Sequence, residues 1–96
     1  MYGVITTFKF KKPLTQEQID IITETAIEPM THEPGFRHYF VIGDEAGKVG
    51  SFHAWDSQKQ AEAAVANMMP KLQPLIGEIL EEAPVRIMSE LIAEFH

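Results

Sequence analysis

The sequence predicts a ferredoxin-like α+β sandwich of order βαββαβ, a four-stranded antiparallel sheet with both helices on one face. Three observations predict it. Residues 2–10, 36–42, 49–55 and 85–95 alternate with the period-two pattern of strands, and two stretches of helical spacing separate them. Thr15 with Gln18, and Ser57 with Gln60, stand as capping boxes at the heads of those stretches. Proline and glycine punctuate the ends.

Taken in order, Tyr2 to Phe10 sets Tyr2, Val4, Thr6, Phe8 and Phe10 against Gly3, Ile5, Thr7 and Lys9, a β-branched and aromatic composition that favours a strand. Lys11-Lys12-Pro13 breaks it. A helix follows from Thr15 with a core stripe of Ile19, Ile22, Ala26 or Ile27, and Met30, and Pro34-Gly35 prevents it from running past Glu33. Phe36 to Ile42 and Val49 to Trp55 form a hairpin in which Gly47 supplies the positive φ of the loop. Ala61, Val65, Met68, Leu72, Leu75 or Ile76, and Ile79 continue at helical spacing, where Pro70 and Pro74 predict a kink or a break into two helices. Pro84 closes that run, and Val85 to Phe95 reads as the last strand.

A chain of 96 residues predicts one domain, residues 1–96. Hydrophobic residues at 45% and charged residues at 23% exclude the profile of a disordered chain. Eight basic against fourteen acidic residues leave a net charge of −6, which argues against a nucleic-acid partner. No apolar run approaches the roughly eighteen residues of a membrane helix, and the start at Met1-Tyr2-Gly3 lacks a basic segment and a cleavage site, so a cytoplasmic protein without a membrane partner is expected. The absence of cysteine removes disulfides, thiol nucleophiles and thiolate metal sites.

The candidate chemistry lies with the histidines and aromatics. A four-residue loop at 44–47 places His38 opposite His53 and Phe36 opposite Trp55 on one face, whereas a three-residue loop at 45–47 sends His53 to the other face. In the first register, Phe36, His38, His53 and Trp55 form an apolar wall with two groups that titrate near neutrality, a composition suited to a substrate pocket with His38 and His53 as catalytic bases. Ordinary cross-strand packing accounts for the same residues. Trp55 is a candidate cavity residue or a core residue. Tyr39 suits substrate contact or interface packing, and Arg86 suits an anion clamp or a solvated strand end. Two histidines without convergent carboxylates make neither a metal site nor a cofactor site, and none is expected.

Both sheet faces carry apolar side chains, yet helices cover only one. Something must cover the other, and a second copy of the chain is the simplest occupant, so a homodimer with facing sheets is expected.

Pro34-Gly35-Phe36, Trp55-Asp56-Ser57, the alanine-rich helix after it and Pro84-Val85-Arg86-Ile87 together resemble the antibiotic biosynthesis monooxygenase-like group of the dimeric α/β-barrel superfamily. The resemblance implies a barrel formed by the two sheets of a dimer, with a cavity between sheet and helices in each subunit. It also implies that Trp55 lines that cavity. Members include cofactor-independent oxygenases of aromatic, polyketide-like substrates and haem-degrading enzymes. The haem-degrading pattern is missing, because Val65-Ala66-Asn67 stands where an axial histidine is expected and Thr6-Thr7 where an asparagine is expected. The expected function is therefore monooxygenation of an apolar aromatic molecule without a cofactor. A non-catalytic binding module and an isomerase or decyclase on the same fold are the alternatives.

Overall fold

The computed structural model describes residues 1–93. β1 (Tyr2–Lys9) leads to α1 (Gln16–Ile22), a π-helical turn (Thr23–Ile27) and α2 (Glu28–Thr31), which form one continuous helical path. β2 (Phe36–Gly43) and β3 (Lys48–Trp55) form the hairpin, α3 (Gln58–Ile76) returns across the sheet, and β4 (Val85–Glu90) ends the fold. The four strands are antiparallel in the order β2-β3-β1-β4, the arrangement of a ferredoxin-like α+β sandwich.

Local chemistry explains the element ends. The Thr15 hydroxyl accepts from the Gln18 backbone at 3.1 Å while the Gln18 side chain accepts from the Thr15 backbone at 2.9 Å, a complete capping box. The π turn precedes Pro29, which has no N–H to give and whose ring crowds the carbonyl four residues back. The wider turn still points Ala26 and Met30 at the sheet, and both are buried. Gly35 follows at φ +85°, and its carbonyl accepts from the Asp56 backbone at 2.9 Å, tying the start of β2 to the end of β3. Gly47 takes φ +88° in the hairpin loop, as its position predicts.

Three expectations are corrected. Of the two outcomes expected at Pro70 and Pro74, a kink or two helices, the division does not occur; α3 runs through both as one helix. Both prolines are exposed, as is Ala66, whose carbonyl loses its donor at Pro70, and Val65, Met68, Leu72 and Ile76 are buried beneath. Each of those side chains gains roughly 1.5–3 kcal/mol on burial, which offsets the ~3 kcal/mol of each interior proline. The last strand ends at Glu90, the partner of Tyr2 where β1 starts, and a single further bond runs from the Leu91 N–H to the Met1 carbonyl at 2.9 Å. Of the expected extension to Phe95, Leu91–Ala93 lie outside any strand, and residues 94–96 lie outside the described residues. Phe10, finally, leaves β1 and forms an isolated bridge with Leu80.

The core lies between the sheet and the helices, built from Tyr2, Val4 and Trp55 below and Met30, Ala61, Ala64, Met68 and Leu72 above. The opposite face has no cover within the chain. Ile5, Phe40, Ile42, Val85 and Ile87 stand exposed there, between 45% and 76% accessible. No helix among the described residues is long and apolar enough to cross a membrane.

Candidate functional site

The hairpin register positions the site. Tyr39 pairs with His53, Phe40 with Phe52 and Val41 with Ser51, the register of the three-residue loop. Asp44 holds it by accepting from the backbones of Ala46 at 2.9 Å and Lys48 at 3.0 Å. At the far end a bulge at Arg37 shifts the pairing back, so that Phe36 opposes Trp55. The consequence is a separation of the two histidines. His53 is 1% exposed and faces the helices, whereas His38 pairs with Ala54 and lies on the helix-free face, stacked on Phe40 at 6.0 Å. The shared wall with both histidines is not formed.

Between sheet and helices lies a cavity of about 140 Å³. Thr6, Tyr39, Ser51 and His53 supply its polar atoms from the sheet, Phe8, Val41 and Val49 its apolar floor. Ile19, Ile22, Thr23, Met68 and Leu72 close it from the helices, which add no charged side chain. Of the residues that sequence reasoning singles out, Tyr39 and His53 line this space. Trp55 and Phe36 do not; they pack edge to face at 5.5 Å in the core behind it. Trp55 reaches the cavity only through His53, to whose Nδ1 its indole N–H donates at 2.7 Å.

Arg86 lies on the inner face of β4 opposite Thr6. One terminal nitrogen donates to Met69 Sδ at 3.1 Å, and its Nε is buried with no hydrogen-bond partner. Among the described residues no carboxylate pairs with it. An arginine held inward without a counter-ion places positive potential beside the cavity. Thr6, Ser51 and Thr23 were not singled out from sequence. Their only signal was a small hydroxyl on an otherwise apolar inward stripe, which is visible once the register is known.

The electrostatics are those of a neutral site. Burial pushes the His53 imidazole down to about 4, with the nearby Arg86 charge acting in the same direction. Burial raises the Tyr39 hydroxyl above its ordinary value, opposed in part by the Ser51 hydroxyl. Neither group therefore changes charge near neutrality. Among the described residues no three His, Asp or Glu side chains gather as metal ligands.

No family model matches the sequence, and no curated protein does either. Solved structures match the fold throughout. A crystal structure named as an antibiotic biosynthesis monooxygenase aligns with TM-score 0.72 over 97% of this chain and 100% of its own at 19% identity. SnoaB, a cofactor-independent oxygenase from Streptomyces nogalater, aligns with TM-score 0.76 over 97% and 94% at 12% identity. The chain has the fold of the antibiotic biosynthesis monooxygenase-like proteins. A protein of unknown function from Nitrosomonas europaea shares this monooxygenase-like fold equally well, with TM-score 0.77 over 99% and 92% at 17% identity. At such identities the monooxygenase-like fold is common ground and the chemistry is not, so function has to be argued from the cavity.

Proposed function

We propose that this chain is an oxygenase-like protein that binds a small aromatic molecule between sheet and helices and oxygenates it without a cofactor. The observation that carries this reading is the cavity itself, apolar on nearly all sides with Tyr39, Ser51 and His53 grouped at one wall. Its likeness in fold to a solved cofactor-independent oxygenase adds support. In such a reaction the substrate supplies the electrons. A phenol goes to the quinone level as one atom of dioxygen enters the ring as a carbonyl and the other leaves as water with one hydrogen from that ring carbon and one from the hydroxyl. The protein contributes orientation and exclusion of water.

A homodimer belongs to the same reading. The exposed apolar face with Ile5, Phe40 and Ile87 suits a second copy related by a two-fold axis, which would close the two sheets into a barrel.

Incubation with phenols under 18O-labelled dioxygen tests the activity, with dioxygen uptake and quinone carrying one 18O atom rising in parallel as the expected result. One feature favours a second reading, that of a binding module. His53 is a weak base whose Nδ1 lone pair already accepts from Trp55, and Tyr39 keeps its proton, so the cavity wall offers no strong free base at neutral pH. A ligand retained in native mass spectrometry and recovered unchanged after aerobic incubation would decide for that reading. Conversion without dioxygen uptake would point instead to an isomerase or decyclase.

A further inference from the structure

Trp55 donates its indole N–H to Nδ1 of His53, so Nδ1 carries no proton and the neutral ring must hold its hydrogen on Nε2. His53 forms part of the cavity wall, while Trp55 stands behind that wall. With Nδ1 taken by Trp55, Nε2 is the ring nitrogen left for a ligand in the cavity that His53 lines. A protonated nitrogen donates and cannot act as a base. Burial reinforces the assignment, because charging the imidazole would oppose a Trp55 proton to an Nδ1 proton at 2.7 Å.

The groups around this donor share its preference. Tyr39 of β2 lies flat against the His53 ring, its hydroxyl kept neutral by burial. Ser51 of β3 and Thr6 of β1 bring hydroxyls that can turn to donate. Arg86 of β4 adds a positive charge with no carboxylate beside it and a buried Nε without a partner. The helices present only Thr23 and apolar side chains. Donors line a space without an anion, and the Arg86 charge stands near its His53 wall without lining the cavity; such donors favour a negative oxygen against the burial that holds the Tyr39 hydroxyl neutral.

Size narrows the occupant. At about 140 Å³ the cavity is close to the roughly 150 Å³ in which an apolar pocket takes up benzene. One ring fills the enclosed part, and the side at Ile19 and Val41, 41% and 50% accessible, is open to solvent.

We propose that the cavity binds a single-ring phenol as its phenolate, with His53 acting from Nε2–H as a neutral hydrogen-bond donor to the anionic oxygen. The proposal rests on the small-aromatic reading above but does not require that oxygen be used, and its tests involve no turnover. If they succeed and oxygen uptake is absent, only the oxygenase reading fails.

The first test is the ring itself. In protein with 15N-labelled histidine, the His53 resonances between pH 6 and 8 are expected to show an unprotonated Nδ1 and a protonated Nε2, with no titration in that range. The opposite tautomer, or a midpoint near that of a free histidine, overturns the donor role. Trp55→Phe removes the indole N–H and is expected to mix the tautomers and raise the midpoint, an effect that a merely structural tryptophan would not produce. The second test uses 4-nitrophenol, whose visible absorbance distinguishes phenol from phenolate. Bound dye is expected to be phenolate below the pH at which free dye ionises. His53→Phe is expected to weaken phenolate binding about 10-fold or more, while His53→Gln, whose amide places an N–H near the Nε2 position, retains most of it. Binding of the neutral phenol, equal binding by His53→Phe, or no binding of 4-nitrophenol to the wild-type protein overturns the proposal.

Discussion

Tyr39 lies flat on His53, ring centroids 5.6 Å apart and planes 7° from parallel, because the hairpin pairs these two residues directly. The stack does two things at once. It covers the imidazole on the β2 side, and it brings a phenolic hydroxyl to the same cavity wall. One residue of slip in the register would put His38 in the place of Tyr39 and remove both effects.

That cover gives a pH dependence whose sign follows directly. The folded-state His53 titrates at about 4 and the unfolded chain near 6.5, so between these values the unfolded state binds more protons. The folded state is therefore favoured in full above about pH 6.5 and loses stability as pH falls toward 4, by roughly 3 kcal/mol. Urea unfolding of wild type and His53→Gln at pH 7 and 4.5 measures it. The variant has no imidazole at this position and is expected to lose less stability on acidification; parallel losses in the two proteins would remove His53 as the cause.

Gly35 is expected to be strained by any side chain. Its φ of +85° is strained for other residues, and a Cβ there would meet Gln60 Oε1 at 2.1 Å and Gln60 Cδ at 2.4 Å. Gly35→Ala is expected to lower stability by about 1–3 kcal/mol, read as a fall in the denaturation midpoint. An unchanged midpoint would mean that the Gln60 side chain swings away and that the turn relaxes.

Pro70 predicts the reverse. It is exposed in the middle of α3 and leaves the Ala66 carbonyl without its helical donor. Pro70→Ala returns that N–H on the solvent side without disturbing the buried stripe. The variant is expected to melt higher than wild type in calorimetry, with a gain of about 1 kcal/mol or more. A lower melting temperature would show that the helix needs the proline to follow the sheet.

The elements that local chemistry governs were legible in the sequence. Thr15 and Gln18 announce a helix start because both halves of the capping box lie within one turn, and Gly47 marks its loop because few other residues accept positive φ. What sequence left open depended on competition over longer range. The loop could close on four residues or three, and the choice rests on Asp44 holding the backbones of Ala46 and Lys48. The bulge at Arg37 then lets Phe36 and Tyr39 both face inward three residues apart, an arrangement that strict alternation forbids. Pro70 and Pro74 carry a clear local signal for a break, and tertiary burial of Leu72 and Ile76 overrides it. Of the candidate site, Tyr39 and His53 were visible as residues, but their meeting was not.

The outer sheet face supplies the last prediction. Ile5 on β1 and Ile87 on the edge strand β4 are direct partners on it, and Val85 extends the same exposed patch while Phe40 and Ile42 stand on β2 at the other edge. Leaving side chains of this kind in water forgoes roughly 25 cal/mol for every Å² that a partner would cover, and a facing second sheet covers all of them together. Wild-type protein is expected to run at twice the chain mass in sedimentation equilibrium. Ile87→Lys places a charge within the apolar patch, where a facing sheet would bury it without a partner, and is expected to shift the equilibrium to monomer. Because residue 87 faces away from the helices and the core, the variant should keep its far-ultraviolet circular dichroism. A wild-type monomer at micromolar concentration, or an Ile87→Lys protein that remains dimeric, would show that the two sheets do not face each other.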